Sequence, residues 1–173
     1  MRRWPLVVVV ALVLGLVGCD HATKGLAAAR LAEGPAVVIP GVLELVYAEN
    51  RDSAFSLLHP AVAEKNRRCL LLVAALLGSA AGLGVLARRW HASGWLEKAA
   101  LATLLGGALG NLLDRALRGF VVDFIHLTRW PVFNVADVAL CCGGALLWIA
   151  ARRTDAARGP SPPGSGRVSG TPR

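Results

Sequence analysis

The sequence has little of what marks the common soluble classes. Its four cysteines (Cys19, Cys69, Cys141 and Cys142) lie in or beside apolar runs, and two are adjacent. That arrangement holds no Cys-x-x-Cys pair and no disulfide framework, and it reads as small buried apolar side chains. The four histidines (His21, His59, His91 and His126) show no metal-ligand spacing, so no metal is expected. His126, three residues after Asp123, keeps a supporting role open. Aromatic residues are 6% of the chain and are not interleaved with a basic patch. No nucleic-acid module is recognisable, so the net charge of +8 does not imply nucleic acid. No serine–histidine–acid set or cysteine nucleophile stands out, and there is no internal repeat.

What the sequence does have is apolar residues, 55% of its 173 positions, with a mean hydropathy of +0.54. Soluble domains sit near ~45–50%. The apolar residues gather in four runs, at 6–18, 69–87, 95–113 and 132–151. A helix needs about 20 residues to cross the hydrocarbon core. The second and fourth runs reach this length unaided. The first and third reach it only by including polar residues at one end, which gives expected spans of about 5–26, 68–87, 95–114 and 132–151.

Basic residues choose the orientation. Arg2 and Arg3 precede the first span, Arg88, Arg89 and Lys98 lie between the second and third, and Arg152, Arg153 and Arg158 follow the fourth. This predicts both termini in the cytoplasm, with residues 21–68 and 114–131 facing outward, where basic groups are mixed with acids. Residues 37–49 read as strand, turn and strand, broken at Pro40-Gly41. The expected fold is an all-α membrane protein, a four-transmembrane-helix bundle with a small extracytoplasmic β-sheet between helices 1 and 2. Residues 1–153 form its one domain, and 154–173, rich in Gly, Pro, Ser and Arg, form a disordered cytoplasmic tail.

The segment ending Leu16-Val17-Gly18-Cys19 also resembles a lipoprotein signal peptide with its lipobox cysteine. That reading would remove everything before a lipidated Cys19. Against it, three further apolar runs follow, whereas the mature part of a lipoprotein is usually soluble.

Polar residues at membrane depth need a partner or a function. Asp20 and Lys24 share a helix face at the favourable acid-before-base spacing, and a snorkelling interfacial pair explains them without chemistry. Asn111, Asp114 and Arg115 follow the small residues Gly106, Gly107 and Gly110, and an Asp114–Arg115 ion pair at a helix end explains two of them. Asp123, between Val122 and Phe124, has no basic neighbour in sequence, and Asp137 lies a few residues into the fourth span. Two such desolvated acids brought together would share one proton. One would then activate water while the other polarises a carbonyl. Spacing alone leaves open the alternative of two separate pore-lining or interhelical residues, as in a small transporter.

Five blocks in order carry a resemblance. They are Asp20-His-Ala-Thr-Lys24, Asn50-Arg-Asp-Ser-Ala-Phe55, Gly107-Ala-Leu-Gly-Asn111-Leu-Leu-Asp114-Arg115, Val121-Val-Asp123-Phe124 and Phe133-Asn134-Val-Ala136-Asp137. Together they resemble lipoprotein signal peptidase (signal peptidase II). The resemblance implies an intramembrane aspartic endopeptidase of the bacterial inner membrane that cuts prolipoproteins just before the diacylglyceryl-modified cysteine. It assigns catalysis to Asp123 and Asp137, and a lining or bracing role to Asp20, Lys24, Asn50, Asn111, Asp114, Arg115, Asn134 and Ala136. It implies no cofactor and no obligate protein partner, only lipidated substrate and membrane lipid. Asp52 stands where the family usually has glycine, and His21 replaces a commoner glutamine.

Overall fold

The computed structural model describes residues 4–51 and 64–158. Among these residues the chain order is α1 (Trp4–Arg30), β1 (Ala36–Ile39), β2 (Leu43–Asn50), α2 (Glu64–Arg89), α3 (Trp95–Leu117), β3 (Val121–Leu127) and α4 (Val135–Arg158). Three of the helices contain segments long and apolar enough to cross a membrane: Leu6–Arg30, Leu70–Arg89 and Val135–Thr154. Their outward faces are apolar, with Leu14, Leu77 and Trp148 each more than 60% exposed, as suits a surface solvated by lipid. The chain is a multi-pass membrane protein. α3 is also long, but Glu97, Lys98, Asn111, Asp114 and Arg115 dilute its apolar character.

α3 is the central helix and packs on α1, α2 and α4. Its glycines permit this. A Cβ at Gly107 would lie 2.5 Å from the Ala136 carbonyl oxygen, and one at Gly110 would lie 2.7 Å from Asp20 Oδ2. Gly143 of α4 answers from the other side, since a Cβ there would lie 2.8 Å from the Leu104 nitrogen. Gly107→Ala is therefore expected to force α3 and α4 apart and to cost about 1–3 kcal/mol. Gly144→Ala, at a glycine with nothing within 4 Å, should be silent. Thermal unfolding in detergent compares the two.

The sheet is antiparallel in the order β1-β2-β3. The β1–β2 hairpin closes as expected at Pro40-Gly41, where Val42 N–H donates to the Ile39 carbonyl and Gly41 takes φ 72°. The third strand was not expected, because the sequence reading placed the sheet wholly between helices 1 and 2. β3 comes instead from between α3 and α4. Residues 121–124 are buried on both faces, so the segment carries no alternation to announce a strand. Only the long-range ladder with β2 creates it.

Helix ends also differ from expectation. α1 continues to Arg30 because Asp20 and Lys24 are buried inside the bundle. α4 begins at Val135, after Phe133 folds back to bridge Ile125, and it continues past residue 153 to Arg158. The tail from 159 and the part of the second sequence block from Asp52 onward lie outside the described residues. Cys19, Cys141 and Cys142 are exposed on apolar helix faces rather than buried in a core. α1 runs unbroken through Cys19.

Candidate active site

The site is assembled around the first turn of α4. Asn134 is its N-cap, with Oδ1 accepting from Asp137 N–H at 3.0 Å while Asp137 Oδ2 accepts from Asn134 N–H at 3.2 Å. This is a reciprocal capping box with aspartate in the third helical position. The Ala136 N–H, also at the helix start, donates to Asp20 Oδ1 at 2.9 Å. Two acids therefore satisfy orphan donors at the positive end of the helix dipole. Ala136, only 1% exposed, leaves room for this because Gly107 and Gly110 lie against it.

Asp20 and Lys24 are fully buried, which overturns the interfacial snorkelling pair. Lys24 Nζ lies 2.7 Å from Asp20 Oδ2 and 3.0 Å from Asp114 Oδ2, and it donates to Asn111 Oδ1 at 3.0 Å. Asp114 does not pair with Arg115. Its second oxygen meets Arg118 Nη1 at 2.7 Å, and Val122 N–H donates to Oδ2 at 3.1 Å. Arg118 was missed in the sequence, although its spacing of four from Asp114 is the signal that marked Asp20 and Lys24. The freed Arg115 turns toward the cavity, within electrostatic reach of Asp123 and Asp137. His126 takes no place there; its Nδ1 lies 3.7 Å from Glu44 on the exposed part of the sheet.

Two asparagines, Asn111 and Asn134, join this buried network to Asp123 and Asp137, and a third, Asn50, holds Asp123 from the sheet. Lys24 can only donate, so the Asn111 oxygen must face it and the Asn111 amide nitrogen faces Asp137 Oδ1, at 2.8 Å. The Asn134 oxygen is occupied by the Asp137 N–H, so its nitrogen donates to Asp123 Oδ1 at 2.6 Å and to Asn111 Oδ1 at 3.1 Å. Asn50 Nδ2 donates to Asp123 Oδ2 at 2.9 Å. The ladder explains this last contact. Ala48 pairs with Asp123 and Asn50 with Val121, so Asn50 stands diagonally from Asp123 on the same face. Asn134 thus holds both aspartates, one by its side chain and one by its backbone.

Asp123 lies on β3, outside the helices, and its carboxyl is pushed up from 3.8 to about 6. Burial is the main cause, with the Asp137 charge adding to it and the Asn50 and Asn134 amides opposing it. A folded-state value raised in this way adds stability that is complete below about pH 3.8 and lost as pH rises through about 6. The thermal stability of the wild type in detergent should therefore fall across that window by more than that of Asp123→Asn. Equal slopes would contradict the assignment.

Asp123, Asp137, Asn50, Asn111 and Arg115 all face one cavity of about 510 Å³, walled otherwise by apolar groups including Ala75, Ala108, Trp130, Phe133 and Leu140. Asp20, Lys24, Asp114 and Asn134 stand behind it. No local pattern announces the Trp130–Phe133 wall, which follows from the chain folding back on β3. Among the described residues no cluster of His, Cys, Asp or Glu could hold a metal ion.

A family model described as Signal peptidase (SPase) II matches residues 12–153. The chain is 40% identical over 136 residues to a lipoprotein signal peptidase of Teredinibacter turnerae, covering 74% of this chain and 77% of that one. It is 39% identical over 158 residues to one of Geobacter sulfurreducens, covering 87% and 94%. Two solved bacterial membrane enzymes share the fold. One has a TM-score of 0.74 at 23% identity, with 91% of this chain and 94% of that chain covered; the other has 0.72 at 25%, with 83% and 92%. The ordered sequence blocks, the polar residues they place at one cavity and behind it, and these matches agree: the chain belongs to the signal peptidase II family.

Proposed function

We propose that the protein is an intramembrane aspartic endopeptidase that removes signal peptides from prolipoproteins, cutting before the diacylglyceryl-modified cysteine. The observation that carries this reading is the pair Asp123 and Asp137, both facing one largely apolar cavity and both held by Asn134. With a single proton between them, one carboxylate takes a proton from attacking water while the other donates to the carbonyl oxygen of the scissile bond. Arg115 and the Asn111 amide hold the remaining negative charge in place. The apolar walls suit a lipidated peptide, and family relatives are named lipoprotein signal peptidases.

In this reading α3 is a fourth span, its polar end closed by the site. The loops rich in arginine face the cytoplasm and the sheet lies on the outer face of the bacterial inner membrane. The deciding experiment uses purified protein on a precursor with and without its diacylglyceryl group. Release of the signal peptide from the lipidated form alone supports the reading, and no cleavage of either form sinks it.

A further inference from the structure

A second cavity, of about 450 Å³, lies away from the aspartates, between the last turns of α1 and the sheet. α1 contributes Leu26, Ala27, Arg30 and Leu31, and the sheet contributes Leu45 and Phe124. Its size falls within the range of small-molecule sites, about 300–1,000 Å³. Two polar residues interrupt the apolar walls: Thr23, whose hydroxyl is already given to the Cys19 and Asp20 carbonyls, and Arg30 near the end of the helix, the one charged group of a lining that holds no acid. Arg30 forms no ion pair among the described residues. Leu26, 59% exposed, leaves the groove open along the flank of a helix long and apolar enough to span the bilayer.

We propose that this groove seats an anionic membrane phospholipid, with an acyl chain against Leu26, Ala27, Leu45 and Phe124 and the phosphate on Arg30. Charge and depth select this occupant. A cation at the end of a spanning helix stands at headgroup level, where it meets phosphate. The groove beside it continues down the same helix, in the direction an acyl chain takes. A peptide would also need partners for its backbone hydrogen-bonding groups, and the one uncharged polar side chain of the lining, Thr23, already gives its hydroxyl to its own helix.

The test uses the full chain purified in detergent and native mass spectrometry with two probes of equal chain length, phosphatidylglycerol and phosphatidylcholine. Phosphatidylglycerol should be retained about 5-fold or more over phosphatidylcholine, a difference that corresponds to about 1 kcal/mol for one screened charge contact. Arg30→Gln should abolish the preference without preventing lipid binding. Leu26→Trp, at an exposed position where the fold tolerates a larger side chain, should fill the groove and reduce retention of both lipids. Equal retention of the two lipids by the wild type overturns the proposal, as does a preference that survives Arg30→Gln. Neither residue touches the aspartate cavity, so this outcome is independent of whether the protein cleaves prolipoproteins.

Discussion

Asp123→Asn and Asp137→Asn are each expected to lower cleavage of a lipidated precursor by about 10²-fold to 10⁴-fold or more, the usual scale for losing a positioned acid–base group. Both variants should still fold. Asparagine at 137 keeps an oxygen to accept the Asn134 N–H, so the cap of α4 survives, and only the bond from Asn111 to the second oxygen is lost. At 123 it keeps the size of the side chain and removes a carboxylate that burial already disfavours. Loss of cleavage without loss of detergent-phase melting therefore points to chemistry rather than folding. Cleavage at the wild-type rate by either variant would remove that residue from the dyad. Asp114→Asn supplies the contrast. Asp114 is fully buried and does not line the cavity, so its loss should appear in stability, with cleavage per folded molecule retained.

The second large effect is expected at Lys24. Lys24→Met keeps the length of the side chain but leaves Asp20 and Asp114 buried without the cation that joins them. Removing one partner of a buried ion network costs about 3–5 kcal/mol, because an uncompensated charge stays behind. Here the cost should spread beyond stability. Asn111 loses one of the two donors to its oxygen, keeping only Asn134 Nδ2, so the nitrogen that holds Asp137 is less firmly oriented. Adding Asp20→Asn to Lys24→Met should recover part of the stability. The asparagine oxygen can still accept the Ala136 N–H, and Asp114 retains Arg118. Melting and cleavage of the single and double variants measure both effects. A single variant as stable as the wild type would show that the network does not support the bundle.

Much of this architecture was legible beforehand, for reasons visible at particular residues. The apolar runs announced helices because burial in lipid asks only for length and hydropathy, which are local properties. The β1–β2 hairpin was legible because Pro40-Gly41 writes its turn into two adjacent residues. β3 was not legible, since its buried faces erase the alternation and its pairing partner lies far away in sequence. The Asp114–Arg115 pairing failed for a related reason. Adjacent residues point about 100° apart on a helix, so Asp114 reaches inward to Lys24 while Arg115 faces the cavity.

The sequence by itself determined that this is a membrane protein of the signal peptidase II type, and which polar residues had to be explained. Composition, run length and ordered blocks survive without coordinates. Only the tertiary structure decided how those residues divide. Asp114 is locked between Lys24 and Arg118, whereas Asp123 and Asp137 are left facing the cavity on either side of Asn134. That division depends on a strand ladder, a helix cap and three glycine-permitted helix approaches. The cap is local, between residues three apart, but the ladder and the helix approaches join segments distant in sequence, and no local pattern encodes them.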